Sequence, residues 1–293
     1  MELKLGAAQI NPTLGNLDRN VEIFRQSVKD ATERGIDLLV FPELGLTGYF
    51  LKDMVPAVAQ RLDSKLVKEI RRASRKLSIV VGLVEESPEH FFYNSVLYVE
   101  KGEILHVHRK VYLPTYGIFD EERYLSRGSK VRAFDTRFGR VAMLVCEDAW
   151  HPSTVYLASQ AGSQILLLPA SSPGRGVRKG KKLDISDTWE SMIRVYASLF
   201  MQFCVFVNRV GYEDGINFWG GSEVVSPAGR QVAKAPYFDE AILEADLDMA
   251  EVRRARVASP LLGDEDLNLT IQELLHLRRT RENGGPEDED AGE

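Results

Sequence analysis

The sequence predicts an α/β fold built around parallel sheet. Two strand–helix–strand units, residues 3–41 and 140–168, carry this expectation, because a helix between two buried strands is the signature of a parallel crossover. The strands themselves supply the second observation. Runs such as Val141-Ala142-Met143-Leu144-Val145 have no polar face and must be covered on both sides. The two units also follow a similar order, which predicts two pseudo-symmetric halves.

Residues 3–9 read as the first strand. Gly15-Asn16-Leu17-Asp18 is a helix entry, Val21, Phe24, Val28 and Ala31 recur at helical spacing, and Gly35 is the stop. Residues 37–41 form a second buried strand that ends abruptly at Pro42-Glu43, and residues 44–49 are a Gly-rich turn whose Tyr49 can line a pocket. A helix is expected over 62–77, with Leu66, Ile70 and Ala73 on one face, then a strand over 79–84. Residues 94–99 and 104–107 flank Lys101-Gly102 as a hairpin. Residues 109–124 have no clear period and mix aromatics with charges, the kind of irregular segment that carries function on a rigid scaffold. His106 and His108 read as ordinary strand residues, since nothing nearby completes a metal set.

Residues 131–135 and 140–145 pair around Phe138-Gly139, and the second leads into Cys146. A helix over 153–161 and a buried strand over 164–168 follow. The basic stretch 173–182 reads as a solvated loop. A helix over 185–200 precedes a buried strand over 203–210, which holds Cys204 in the core. Residues 217–222 read as a loop, 223–225 and 231–233 as a hairpin, 241–247 as the last strand, and 249–255 and 267–277 as helices. Residues 1–282 are expected to form one domain. The acidic stretch 283–293 lacks core formers and is expected to be disordered.

Composition bounds the function. The chain has 293 residues, 44% hydrophobic and 27% charged, with net charge −6 and pI near 5.6. That balance argues against a nucleic-acid or anionic-membrane binder. The two cysteines, Cys146 and Cys204, suggest neither a disulfide framework nor a zinc site. Residues 1–9 do not read as a signal peptide, and no apolar run approaches the ~18 residues of a membrane span. A reducing cytoplasmic setting is expected, and it leaves a free thiol available.

Three polar residues stand at the ends or edges of buried strands: Glu43, Lys110 and Cys146. A cysteine nucleophile needs a base and a place for the charge that develops on the substrate. No histidine is well placed as that base. A carboxylate can take the thiol proton if a lysine and partial burial tune the pair. The ammonium then stabilises the tetrahedral intermediate, joined by a backbone N–H just after Cys146; Glu147 is the natural donor if the chain turns into a helix there.

The order Phe41-Pro42-Glu43, Arg109-Lys110-Val111-Tyr112-Leu113-Pro114, Cys146-Glu147-Asp148 resembles the nitrilase (carbon–nitrogen hydrolase) superfamily with its Glu–Lys–Cys triad. The likeness runs from about residue 4 to about 247 and includes Val207-Asn208-Arg209-Val210-Gly211. Within the superfamily, residues 42–49, 113–125 and 146–150 are most similar to the glutaminase domain of glutamine-dependent NAD⁺ synthetase. The resemblance implies an αββα sandwich that pairs with a second subunit, giving a homodimer or higher even oligomer. It implies Glu43 as general base, Lys110 as stabiliser and Cys146 as nucleophile. Glu121, with Glu122 adjacent, matches a second glutamate of the site. Tyr49 and Tyr116 match pocket aromatics, and Glu147 and Ser171 are placed with them as substrate-binding residues. No metal or cofactor is implied. The 293 residues contain no Ser-Gly-Gly-x-Asp-Ser pyrophosphate loop, and Gly220-Gly221-Ser222-Glu223 is not one, so NAD⁺ synthesis by these residues alone is not expected. The activity implied is hydrolysis of a small linear carboxamide, glutamine-like amides included. The alternatives are a nitrilase, an N-carbamoyl amidohydrolase, a glutaminase subunit feeding ammonia to a separate synthetase partner, or a non-catalytic binding protein on the same scaffold.

Overall fold

The computed structural model describes residues 2–175 and 183–282. The expectations for residues 176–182 and 283–293 lie outside them. The chain opens with β1 (Glu2–Gln9), α1 (Leu17–Glu33) and β2 (Leu38–Val40), passes through α2 (Val55–Val58) and α3 (Lys65–Ala73), and continues as β3 (Ser78–Glu86), β4 (Phe92–Glu100), β5 (Glu103–Arg109) and α4 (Glu121–Tyr124). Next come β6 (Ala133–Thr136), β7 (Gly139–Met143), a 3₁₀ turn over Cys146–Trp150, α5 (Pro152–Gln160), β8 (Ile165–Ala170), α6 (Asp184–Leu199) and β9 (Phe203–Asn208). The remainder is β10 (Val210–Glu213), β11 (Ile216–Trp219), β12 (Glu223–Val225), β13 (Gln231–Lys234), β14 (Ala241–Asp248), α7 (Ala250–Ala258), α8 (Leu261–Asp264) and α9 (Leu267–Glu282).

Local chemistry explains the boundaries. Asn16 starts α1 by accepting the Arg19 N–H, and the helix buries Val21, Phe24, Val28 and Ala31. Ser64 does the same for α3 through the Val67 N–H. That helix is shorter than expected, because the chain turns at Ser74 and Lys76 and leaves the polar 74–76 stretch outside it.

Two six-stranded sheets result, ordered β14-β1-β2-β3-β4-β5 and β13-β12-β9-β8-β7-β6. Each has three parallel strands at its heart, β1-β2-β3 and β7-β8-β9, with antiparallel strands outside them. Read from β14 and from β6, the two sheets show the same succession of parallel and antiparallel pairs, which is the expected pseudo-symmetry. Strand alternation sets the layers. Leu3, Leu5, Leu38 and Val40 point to the second sheet and pack with Val141, Met143 and Leu167. Leu39, Phe41 and Ile79 point the other way, against Phe24 of α1 and Ile70 of α3. Val155 of α5 and Trp189 and Ile193 of α6 cover the second sheet. The sandwich is therefore αββα.

Two expectations are corrected. Residues 217–219 belong to β11, which pairs antiparallel with β10, Val210 opposite Trp219; four residues flanked by glycines are too few for alternation to show. The start of the 173–182 stretch is not solvated loop. Pro173 bridges to Phe218, the Gly174 N–H donates to the Asn217 carbonyl, and the Arg175 guanidinium lies 4.6 Å from the Phe119 ring centroid.

Candidate active site

By strand order β2 and β8 are equivalent, and each delivers a polar residue just past its end. Glu43 follows β2 and is fully buried; Ser171 follows β8. The two are bonded to each other. The Ser171 N–H donates to Glu43 Oε2 at 2.8 Å, and Ser171 Oγ donates to the Glu43 carbonyl at 2.9 Å. Glu43 Oε1 accepts from Lys110 Nζ and from Asn94 Nδ2, each at 2.8 Å.

Lys110 comes from the end of β5, where its backbone N–H donates to the Asn94 carbonyl. Its Nζ also donates to Glu121 Oε1 at 2.6 Å, and the Tyr49 hydroxyl donates to the same oxygen. One buried ammonium thus faces two buried carboxylates. Burial works against its charge, but Glu121 and Glu43 outweigh that and hold Lys110 well above the usual lysine range. One carboxylate remains in excess. Burial and the nearby Glu43 charge push Glu121 up to about 7, although Lys110 pulls it down. Glu121 Oε2 is buried without a partner. The neighbouring Glu122 is exposed and pairs with Arg127, so the choice between the two glutamates falls on Glu121.

Cys146 sits where β7 gives way to the 3₁₀ turn, with φ of +43°. A left-handed backbone costs a non-glycine residue about 1–2 kcal/mol, and such strain collects at sites that must aim a side chain. Cys146 as a whole is 9% exposed. Burial, then the Glu43 charge, push it well above the usual thiol range, opposed by Lys110 and the Ser171 N–H. Cys146 is therefore a neutral thiol at rest.

Tyr116 and Glu147 form a second group. The half-exposed Tyr116 donates its hydroxyl to Glu147 Oε2 at 3.0 Å. Arg175 stands 5.7 Å from the Tyr116 ring centroid, and its Nη2 is buried without a partner. His151 stacks on Tyr112 at 3.5 Å between centroids, 3.9 Å from Glu147. A cationic and an anionic side chain thus both approach Tyr116.

Several residues were missed from sequence. Asn94 gave no signal, being one polar residue within a strand. His108 was read as an ordinary strand residue, yet it is buried and bonded to Asp148 at 2.8 Å. The carboxylate after Glu147 was visible, its partners were not. Burial opposes the Asp148 charge, but His108 and the Val145 and Tyr112 N–H groups overcome this and hold its pKa below the usual aspartate value. The buried Arg209–Glu213 pair was also missed; Glu213 accepts the Tyr49 and Phe50 N–H groups and so sets the wall that carries Tyr49. Among the described residues no group of three or more His, Cys, Asp or Glu is arranged to hold a metal, and no helix is long and apolar enough to cross a membrane. An open crevice of about 660 Å³ along α1 holds none of these site residues.

The fold and this arrangement define a hydrolase of carbon–nitrogen bonds. Residues 4–257 match the carbon-nitrogen hydrolase family model, and the chain belongs to that family. It is similar to the glutamine-dependent NAD⁺ synthetase of Thermotoga maritima, 33% identical over 259 residues, which cover 88% of this chain and 44% of that protein. The chain therefore spans less than half the length of that relative and resembles its glutaminase domain only. The solved structure of the glutamine-dependent NAD⁺ synthetase of Acinetobacter baumannii aligns with TM-score 0.76 and 28% identity over 86% of this chain and 47% of that one. A carbon-nitrogen hydrolase from Helicobacter pylori, at 23% identity, shares the fold with TM-score 0.83 over 94% of this chain and 99% of its own.

Proposed function

We propose that this protein is a thiol amidohydrolase that releases ammonia from a small linear carboxamide, with glutamine-like amides the favoured class. The observation that carries the reading is the buried contact of Lys110 with Glu43 and Glu121 at 2.8 and 2.6 Å, beside a thiol held in a left-handed turn.

Glu43 has four lone pairs. Lys110 and Asn94 use the two on Oε1, and the Ser171 N–H uses one on Oε2. The remaining Oε2 lone pair takes the proton of the Cys146 thiol. A neutral thiol requires such a base. The sulfur then bonds to the amide carbon, and the carbonyl pair moves to oxygen. Lys110 and the Glu147 N–H stabilise that charge. Collapse breaks the C–N bond, Glu43 returns the proton to nitrogen, and ammonia leaves a thioester. Water gives a proton to Glu43 and its hydroxide attacks the thioester. The C–S bond breaks, and sulfur regains its proton. Tyr49 and Ser171 shape the site around Glu121 and Glu43, while Tyr116 and Glu147, with Arg175 opposite, bind the polar end of the substrate.

The test is ammonia release from glutamine, asparagine, aliphatic amides, N-carbamoyl amines and a nitrile, with Cys146→Ala as control. Release from an amide supports the reading. Release only from the nitrile or the carbamoyl amines replaces it with that chemistry. Likeness to the glutaminase part of a longer synthetase favours a second reading, an ammonia-supplying subunit. Glutaminase activity that rises when a candidate synthetase is added supports it, and full activity alone counts against it.

The pH profile checks the role of Glu121. Its carboxyl, pushed up to about 7, is ionised only above that region. We expect kcat/KM to fall as pH drops through about 7, as Glu121 takes a proton and loosens its hold on Lys110. Glu121→Gln should remove that limb. A wild-type profile flat across this range would refute the assignment.

The reading includes a single catalytic domain over residues 1–282, a cytoplasmic setting and an even-numbered oligomer. Leu157 of α5 and Val195 and Leu199 of α6 are exposed on the outer helical layer, where a two-fold partner would cover them. Light scattering should give an even multiple of 32.9 kDa; a monomer mass would remove this part.

A further inference from the structure

We infer that Asp148, steadied by His108, is a positioning residue that sets Lys110 against Cys146. The inference rests on the thiol-amidohydrolase reading above. Asp148 and His108 side chains are both fully buried, away from any opening. Asp148 Oδ1 accepts the N–H groups of Val111 and Tyr112, both at 2.9 Å. These are the two residues that follow Lys110. Asp148 Oδ2 accepts the Val145 N–H at 3.0 Å, from the residue that precedes Cys146, and His108 Nε2 at 2.8 Å. The Asp148 N–H donates back to the Val145 carbonyl at 2.9 Å and closes the turn.

One carboxylate therefore spends all four lone pairs. Three of its donors belong to the backbone that delivers either the lysine or the thiol. Lys110 arrives on the first sheet and Cys146 on the second, so this clamp fixes a distance that no single strand can fix. His108 lies two residues before Lys110 on β5 and adds a further tie to the same strand. Its Nδ1 is buried without a partner. The network assigns Nε2 as the nitrogen that donates to Asp148, since the carboxylate oxygen can only accept. A single carboxylate charge faces four donors, and its geometry is tightly determined.

Asp148→Asn tests this with little change of shape. Its amide offers one acceptor and one donor, so one side of the clamp becomes a donor–donor clash. Two rates are read, each per folded chain as judged by circular dichroism: kcat for ammonia release, and alkylation of Cys146 by iodoacetamide followed by mass. We expect kcat to fall about 100-fold, the scale of an ångström-sized misplacement, with KM close to wild type. Alkylation should slow as well, because the thiol proton no longer meets Glu43 beside Lys110. His108→Gln, whose amide nitrogen can replace Nε2, should keep most of both rates, while His108→Leu should lose them.

A merely structural Asp148 would lower the folded fraction and leave both rates per folded chain unchanged. That result overturns the proposal. If Asp148→Asn does not fold, the His108 pair decides: equal rates in His108→Leu and wild type overturn it, and loss with Leu alone supports it. If wild-type Cys146 alkylates but no amide releases ammonia, the amidohydrolase reading falls by itself. The alkylation rate of Asp148→Asn then decides the positioning role, slowed in support or unchanged against.

Discussion

Lys110→Ala is expected to lower kcat about 10³-fold or more for the best amide of the panel. Removing one preorganised donor at a developing oxyanion costs about 10²–10³ in rate. Lys110 does more than that, because it also orients Glu43 and Glu121 through bonds of 2.8 and 2.6 Å. Without it two carboxylates face each other in the interior. Removing one member of a buried ion pair typically destabilises by about 3–5 kcal/mol. The measurement therefore needs a melting curve beside the kinetics, with Lys110→Met as a variant that keeps the stem. Near-wild-type kcat in a folded variant would sink the mechanism.

Cys146→Ala should abolish ammonia release altogether and leave the fold intact. In the proposed mechanism the thiol is the atom that bonds to substrate, and no other described cysteine can replace it, since Cys204 lies inside β9 with no exposure. Alanine keeps a Cβ at φ +43°, so the strained turn is retained. The check is ammonia release against the melting temperature of the same sample. Turnover surviving in that variant would move the nucleophile elsewhere. We expect none.

The parts of this molecule that sequence revealed were those written in local pattern. Buried runs such as residues 141–145 marked strands, and Asn16 with Val21, Phe24 and Val28 marked α1. Glu43, Lys110 and Cys146 stood out because each stands at the end or edge of a strand, Glu43 and Cys146 directly after apolar runs. The structure brings all three together. What stayed hidden were partners distant in sequence. Asn94 reaches Glu43 across 51 positions, and Asp148 reaches His108 across 40. A polar residue on a strand looks the same whether it meets water or a buried carboxylate. The strand β11 was lost for another reason, its four residues being too few to show a period.

Glu43 and Lys110 stand on one sheet, and Cys146 and Ser171 on the other. Each slab of the sandwich is thus half a tool. Either slab alone carries only two of the four groups. The site therefore exists only where the two sheets close on each other, and whatever parts them takes it apart.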